Sequence, residues 1–329
     1  MKHPLIQPIL VAALLLSLLF AGHAQTVIFS DNFSGSTLNQ VPTSPTATST
    51  SYEFFSGING GSATIGPGAL HLALPSTTSV LGEVQAAFSS TPVSLANVGD
   101  YLNLTVTFVN TANILLAGNA NSSLTVGLYN SGGALPNQGI VTLNTGNTTG
   151  GSQNWLGYVG RIIQSGTANV ITRPAQTPND TTSQNQDMLF NNTSSSQAFN
   201  NPTGATVGSK STTSSPISLT AGSTYTLDYR IMLSAPGTLS ISNALYSGGS
   251  VNSANTLFNE LATTTASTLI TSSFDSFAIG WRASLSAAAA SSMDITSITI
   301  SVPEPGTPIL IGAGVLFSLA LRHRRTQAK

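Results

Sequence analysis

The chain is 329 residues long, only 6% of its residues are charged, and none is cysteine. Ten basic against eleven acidic residues give a net charge of −1, which excludes a protein that binds nucleic acid through a basic surface. The lack of cysteine excludes disulfides, thiolate zinc sites, iron–sulfur clusters and cysteine nucleophiles. Because 40% of the residues are hydrophobic, we expect a folded body with a core rather than a disordered chain.

The N-terminus has the layout of a secretory signal peptide. Lys2 gives a short positive region, residues 9–20 form an apolar run, and small residues follow up to Ala24. We therefore predict a signal segment over residues 1–24, with cleavage between Ala24 and Gln25. A retained anchor is the alternative, but this run of 12 residues is shorter than the ~20 that span a bilayer.

The C-terminus carries a second hydrophobic segment. Residues 308–321 have no charge, and a basic cluster of Arg322, Arg324 and Arg325 lies directly after them. Basic residues beside an apolar stretch stay on the cytoplasmic side of a membrane. We predict a transmembrane helix over 308–321 that leaves the body outside. A buried core helix is the alternative, and such helices seldom end in a cluster of arginines.

The residues before this segment form a motif. Pro303, Glu304 and Pro305 precede the apolar run, and the arginine cluster closes it near the end of the chain. With this arrangement, residues 302–329 resemble the PEP-CTERM sorting tail of Gram-negative bacteria. The resemblance implies export by the secretion machinery, transient anchoring in the inner membrane and processing by an exosortase. It implies a destination at the cell surface or in the exopolysaccharide matrix, and nothing about what the body does.

The body, residues 25–301, has five basic and ten acidic residues, and its net charge of −5 further disfavours binding to nucleic acid or anionic membranes. Many of its segments alternate apolar and polar residues and are rich in β-branched and aromatic side chains, the pattern of half-buried strands. We predict strands over 101–109, 123–129, 155–163, 223–233, 237–245, 274–284 and 293–302.

Turns rich in glycine and asparagine separate these segments. Asn59-Gly60-Gly61 lies between two β-like segments, 52–58 and 62–74, and predicts a hairpin. Residues 176–216 are dominated by Thr, Ser, Asn, Gln and Pro. They predict a long polar loop that leaves and re-enters one domain, rather than a linker between two domains.

The order of the segments carries a second resemblance. Residues 29–35 open the body, 224–230 and 237–242 read as a central hairpin, and 274–282 precede a closing strand at 293–300. This order resembles that of concanavalin A-like lectin and glucanase jelly rolls. The resemblance implies an all-β fold, an antiparallel β-sandwich of the jelly-roll type, in which the first and last strands commonly pair.

Signals of catalysis are weak. His71 is the single histidine of the body, which excludes a site built on two or three histidines, and no G-x-S-x-G elbow accompanies it. It alternates with leucines, so we expect a surface-facing histidine on a strand. Glu53, Glu83 and Glu260 are isolated, and the E-x-D-x-x-E pattern of the glucanases that the fold resembles is absent. A polysaccharide hydrolase or lyase is therefore the less favoured alternative.

The sequence demands no cofactor, but a structural calcium ion has candidate ligands. Calcium takes carboxylate and carbonyl oxygens from scattered positions. Asp31 and Asp294 lie on the segments that are expected to pair at the two ends of the body. Solvated loop acids are the alternative interpretation.

Carbohydrate binding needs flat aromatic faces beside planar hydrogen-bonding side chains. Trp155, Tyr158 and Arg161 form the best candidate cluster, although regular alternation puts Tyr158 on the opposite face from the other two. Core packing is the alternative for Trp155, and it is the favoured interpretation for Trp281.

The sequence therefore predicts an exported, exosortase-sorted protein of the cell surface or exopolysaccharide matrix. We expect a non-catalytic structural or carbohydrate-binding body whose partners are the export machinery and polysaccharide, with no nucleic acid. Two alternatives stay open: a hydrolase or lyase on the same fold, and an adhesin or self-associating coat protein. An exposed sheet edge or apolar patch would favour the coat protein.

Overall fold

The computed structural model describes residues 25–38, 44–56, 60–76, 81–118, 122–134, 141–142, 155–175, 204–212, 215–283 and 289–304. Within these ranges the regular structure is β, apart from a short 3₁₀ helix at Ser253–Asn255. The strands are β1 (Gln25–Asp31), β2 (Thr37–Leu38), β3 (Ser51–Ser56), β4 (Ser62–Gly66), β5 (Ala69–Leu74), β6 (Leu81–Ala87), β7 (Val93–Ser94), β8 (Tyr101–Ala112), β9 (Ser123–Asn130), β10 (Val141–Thr142), β11 (Leu156–Ile163), β12 (Thr167–Arg173), β13 (Thr206–Thr212), β14 (Ser223–Ala235), β15 (Thr238–Ser247), β16 (Thr256–Thr263), β17 (Ser273–Phe274), β18 (Ser276–Arg282) and β19 (Ser291–Pro303).

The described strands form two large sheets and a short ladder. Sheet A has the order β16-β15-β14-β8-β19-β5-β4, with β1 paired to β19. Sheet B has the order β10-β3-β6-β18-β9-β11-β12-β13, with β2 paired to β3. Most neighbours run antiparallel, whereas β2 and β10 pair parallel with β3. The pairing of β1 with β19 confirms the expectation that the first and last strands of the body meet.

Alternation along the strands buries one face of each sheet in the core. In β14, Leu227, Tyr229 and Ile231 are buried, and the half-buried residues between them point away from the core. Sheet B packs on this face closely: a Cβ on Gly160 of β11 would lie 2.7 Å from the Tyr229 ring and 2.9 Å from the Asn243 amide. The body is thus a β-sandwich, as predicted, with glycine where the sheets approach most tightly.

The strand predictions hold where alternation is long, and one hairpin prediction is wrong. Strands β8, β9, β11, β14, β15, β18 and β19 cover the seven predicted segments with shifted ends. The segment before Asn59-Gly60-Gly61 forms β3 in sheet B, whereas the segment after it forms β4 and β5 in sheet A. The chain therefore crosses between the sheets at this turn, and the hairpin lies instead between β4 and β5.

Part of the predicted polar loop is a strand. Within 176–216, residues Thr206–Thr212 form β13, which pairs with β12 at the edge of sheet B. The sequence of β13 is Thr-Val-Gly-Ser-Lys-Ser-Thr, which lacks the apolar alternation that predicts a strand. An edge strand of this composition is held by its ladder to β12 more than by burial of side chains.

The chain divides into two compact units. Val27–Ile300 is the body, and the second unit contains Met1–Thr26 and Ser301–Lys329. In the second unit, the Ser301 hydroxyl donates a hydrogen bond of 3.0 Å to Gln25 Oε1. The predicted signal segment and the predicted helix at 308–321 lie outside the described residues. No helix in the described part of the chain is long and apolar enough to span a bilayer.

Candidate functional site

Charged side chains that are isolated in sequence share the outer face of sheet B. In β3 and β6, Glu53 stands directly opposite Gln85 and Phe55 opposite Glu83. Residues directly opposite each other, or two apart on one strand, point to the same face. Glu53, Gln85 and Glu83 therefore lie together on the face that is turned away from sheet A.

The same row continues across three more strands. Glu83 stands opposite Gly280 of β18, Gly280 opposite Thr125 of β9, and Thr125 opposite Arg161 of β11. Arg282 shares this face two residues beyond Gly280. We call Glu53, Glu83, Gln85, Arg161 and Arg282 the charged layer. Gly280 is required at its centre, because a Cβ there would lie 2.5 Å from the Gly82 carbonyl oxygen and 2.8 Å from Glu83 Cβ.

The two glutamates of the charged layer are neighbours on one face of sheet B, but neither is accessible. They lie diagonally on adjacent strands, which corresponds to a separation of about 7–8 Å between backbone positions. Glycosidases hold their two carboxyl groups ~5–9.5 Å apart. Glu53 and Glu83 both have 0% exposure, and Gln85 Nε2 donates a 2.5 Å hydrogen bond to Glu83 Oε1. A carboxylate with no exposed surface cannot contact a sugar bond in this structure.

Burial and hydrogen bonding also shape the surroundings of the arginines in the charged layer. Arg161 Nε donates to Asn169 Oδ1 at 2.9 Å. Burial, with help from the charge of Arg282 and opposition from Glu260, lowers the pKa of Arg161 to about 10. Burial also lowers the pKa of Arg282. Both groups stay protonated near neutral pH, so the charged layer combines acids and bases in a desolvated setting.

The predicted sugar-binding cluster is split between two places. The Trp155 side chain is wholly buried, donates from Nε1 to the Ala134 carbonyl at 2.7 Å and packs against Tyr129 with ring centroids 5.9 Å apart. Tyr158 is buried on the inner face, where its hydroxyl accepts from the Ile270 amide at 2.9 Å. Both rings are buried in the structure, which favours core packing, and the sugar-contact role of Trp155 and Tyr158 stays a prediction. Arg161 is half-buried and belongs to the charged layer.

Asp31, the first predicted calcium ligand, accepts hydrogen bonds from three groups of the protein. It is buried, its Oδ1 accepts from the Phe33 amide at 2.6 Å, and its Oδ2 accepts from the Ser36 and Tyr52 hydroxyls. These bonds stabilise the turn after β1, in which Phe33 has the left-handed φ of 64°. Burial and the Asp31 charge raise the pKa of Tyr52 well above its usual value, so its hydroxyl stays a donor.

Asp294, the second predicted ligand, pairs with His71. The two residues stand directly opposite each other on β19 and β5, and His71 Nδ1 lies 2.9 Å from Asp294 Oδ1 on an exposed face. His71 is thus the surface-facing strand histidine expected from the sequence. Over the described residues, no three His, Cys, Asp or Glu side chains are grouped closely enough to hold a metal ion. Calcium at Asp31 and Asp294 stays a prediction.

The residues predicted for processing are only partly described. Gln25 begins β1, while Ala24 lies outside the described residues. Pro303 ends β19 and Glu304 follows it. Pro305, Arg322, Arg324 and Arg325 lie outside the described residues.

Sequence patterns did not reveal the charged layer, because Glu53 and Glu83 are thirty residues apart. A partial signal was present in Glu83-Val84-Gln85, where two polar side chains flank a valine and therefore share one face of a strand. Nothing in the sequence showed that β3 would place Glu53 opposite Gln85.

Comparison with known proteins identifies the C-terminal motif. Residues 301–325 match the PEP-CTERM protein-sorting motif, as the sequence predicted. This motif implies export and a C-terminal membrane anchor before exosortase processing. No curated protein matches the chain in sequence.

Solved structures with a similar chain course include lectins and a glucanase. Endo-1,3-beta-glucanase from Streptomyces sioyaensis is 12% identical with a TM-score of 0.44, over 85% of this chain and 97% of the other. The Emp47p carbohydrate recognition domain is 12% identical with a TM-score of 0.42, over the same shares. Lectin II from Ulex europaeus is 10% identical with a TM-score of 0.37, over 77% of this chain and 92% of the other.

Proposed function

We propose that this chain is an exported protein of the cell surface or exopolysaccharide matrix, and that its body engages polysaccharide without cleaving it. The sorting motif at 301–325 supports the destination. The weakly charged sequence, rich in Ser, Thr and Asn, supports contact with a hydroxyl-rich polymer, because hydroxyl and amide side chains both donate and accept hydrogen bonds.

One observation carries the non-catalytic part of the proposal. Glu53 and Glu83 are neighbours on one face of sheet B, as a pair of catalytic carboxyl groups would need to be, yet both are wholly buried. Acid–base catalysis needs a carboxyl group within hydrogen-bond reach of the sugar oxygen. Within the described residues, this pair therefore serves the packing of sheet B rather than hydrolysis.

The experiment combines binding and product analysis on the same samples. The full chain is mixed with laminarin, mannan, dextran and alginate, and bound polymer and new reducing ends are measured. We expect binding to at least one polymer without new ends. New ends that disappear in the Glu83→Gln variant, but persist in Thr64→Ala on the exposed face of sheet A, would establish the hydrolase alternative instead.

A second candidate function is self-association into a coat. Strand β16 lies at the end of sheet A, and among the described strands only β15 pairs with it. Its outward residues Leu257 and Leu261 are 38% and 69% exposed, which is unusual for leucine on an edge strand. The inward Glu260 is buried at the same edge, and an inward charge limits uncontrolled edge pairing.

Sedimentation velocity of the full chain separates this candidate from the first. Self-association that depends on concentration and is lost in Leu261→Lys would support the coat function. The matched control is Thr64→Lys, which adds the same charge on the other edge strand of sheet A.

A further inference from the structure

The outer face of sheet A, opposite the charged layer, holds a second polar cluster. Strands β8, β14 and β15 are adjacent there, with Arg230 directly between Asn103 and Ser242, and Asp228 directly between Thr105 and Ala244. These residues alternate with the buried core positions of their strands, so their side chains point away from sheet B.

Asp228 is oriented by two donors that use one of its oxygens. Asn103 Nδ2 and Thr105 Oγ1 lie 2.8 and 3.0 Å from Asp228 Oδ1. Within the described residues, Oδ2 has no hydrogen-bond partner in the protein. Asp228 thus presents a fixed acceptor beside a half-buried surface.

Arg230 is fixed separately, by an aromatic ring. Its guanidinium carbon lies 3.8 Å from the centroid of the Tyr101 ring, and Nη2 approaches Met232 Sδ at 3.9 Å. Asp228 and Arg230 share a face two residues apart, yet no ion pair within 4.0 Å joins them in the described part of the chain. The two groups are therefore offered separately, because Tyr101 draws the guanidinium to the side of Arg230 that is away from Asp228.

Small residues and a tyrosine complete the surroundings. Ala244 and Ser242 of β15 lie directly beside Asp228 and Arg230, and Asn259 of β16 stands on the far side of Ala244. Asp228 and Asn259 are two strands apart, about 10 Å between backbone positions. Tyr246 flanks the row diagonally from Asp228, and burial together with the Asp228 charge raises its phenol pKa. Ala244 itself is buried, and the side chains around it present acceptors, donors and one aromatic ring on this face.

We infer that this cluster of Asp228, Arg230, Tyr246 and Asn259 is a binding subsite for one sugar unit of a neutral, hydroxyl-rich polysaccharide. The carboxylate accepts from a sugar hydroxyl, the guanidinium donates to a hydroxyl farther along the polymer, and the aromatic ring packs on the C–H face of the sugar. An anionic sugar is disfavoured by the Asp228 carboxylate and by the body charge of −5. Because the cluster lies on the face of a sheet, a long polymer can bind along it without passing its end through an enclosed site.

The inference rests on the proposed function, so the test separates the two. Affinity electrophoresis of the full chain through laminarin, mannan or dextran is repeated with Asp228→Ala, Tyr246→Ala and Ser242→Trp. The first removes the acceptor, the second removes the aromatic ring, and the third places a bulky ring beside Arg230 without changing a group that bonds to Asp228. Each is expected to weaken binding about tenfold or more, while Thr64→Ala, at the far end of the same face, binds as wild type.

Each outcome has a distinct meaning. Wild-type binding that all three variants retain would overturn the subsite and leave the proposed function standing. Absence of wild-type binding to every polymer would overturn both. Binding to alginate with none to the neutral polymers would overturn the sugar class. Near-ultraviolet circular dichroism checks that the variants are folded, and Ser242→Trp, which leaves the polar network intact, decides the outcome where Asp228→Ala unfolds.

Discussion

Gln85 donates its side-chain amide to the carboxylate of Glu83, two residues earlier on the same strand and on the same buried face. The pair shows how the protein keeps charge in a desolvated layer of sheet B, where an unmatched carboxylate would cost several kcal/mol. The amide supplies a hydrogen-bond donor to a carboxyl oxygen that has no exposed surface. Both side chains are buried in this layer, so the hydrogen bond contributes to the packing of sheet B.

The first prediction concerns this hydrogen bond. In Gln85→Glu the donor becomes a second carboxylate beside Glu83, and like charges raise the pKa of at least one of them. A shift of about 1.5 pKa units corresponds to about 2 kcal/mol of lost stability at pH 7. The free energy of unfolding in guanidinium chloride measures the loss, and Thr64→Glu, which adds the same charge on an exposed strand, controls for net charge.

The pH dependence of this variant has a defined sign. A carboxyl group with a raised folded-state pKa costs stability above that pKa and nothing below its unfolded value of ~4.3. The deficit of Gln85→Glu relative to wild type should therefore shrink as the pH falls from 7 towards 4. A deficit that is constant over this interval would mean that lost packing, rather than charge, is responsible.

The second prediction contrasts two buried tyrosines. The Tyr52 hydroxyl donates to Asp31 Oδ2 at 2.8 Å, whereas the Tyr229 hydroxyl has no partner among the described residues. Tyr52→Phe should cost about 1.5–3 kcal/mol, the value of a hydrogen bond to a charged group, and Tyr229→Phe should be neutral or stabilising. Urea unfolding of both variants at pH 7 measures the difference, and equal losses would contradict the hydrogen-bond assignment.

Alkaline pH extends this prediction. Burial raises the pKa of Tyr229 well above its usual value, with further contributions from Tyr158 and Glu260. A group whose pKa is raised on folding contributes stability below its unfolded pKa, ~10 for tyrosine, and that contribution declines as the pH rises further. Wild type should lose stability above pH 10, and Tyr229→Phe should lose less.

The sequence was informative wherever the chain obeys local periodicity. In β8 and β14 a strict alternation of apolar and polar residues, set by the pleat of a half-buried strand, was enough to locate both strands and their exposed faces. Turn chemistry was less reliable. Asn59-Gly60-Gly61 favours a tight reversal, but the hydrophobic faces of β3 and β4 are buried in different sheets, so tertiary packing decided where the chain went.

The site residues were harder to predict because they depend on register between distant strands. Asp228 and Asn103 are 125 residues apart, and only the pairing of β8 with β14 joins them. Arg161 was identified from local pattern, but its neighbours in the charged layer come from β6 and β18. Trp155 is of a residue type that often contacts sugars, but in the structure it packs as a core residue. Its neighbours in the sequence do not distinguish these two roles.

The third prediction concerns sorting. Replacement of Glu304 by Ala, and separately deletion of residues 322–325, should change how the protein divides between membrane and medium, because an exosortase reads the motif together with its basic stop. Cell fractionation followed by immunoblotting measures this, with Asp100→Ala as a control in the body. Unchanged fractionation of both tail variants would refute processing by an exosortase.

The fourth prediction separates a core residue from a sugar contact. Because Trp155 is wholly buried and bonded to the Ala134 carbonyl, Trp155→Ala should destabilise the body by about 3–5 kcal/mol, whereas Trp155→Phe keeps most of the packing and costs less. Binding to polysaccharide should be measured at a temperature where the phenylalanine variant is fully folded. If this variant binds as wild type, Trp155 acts through packing. If it is folded and stable but loses binding, the ring contacts sugar in solution and the aromatic prediction stands after all.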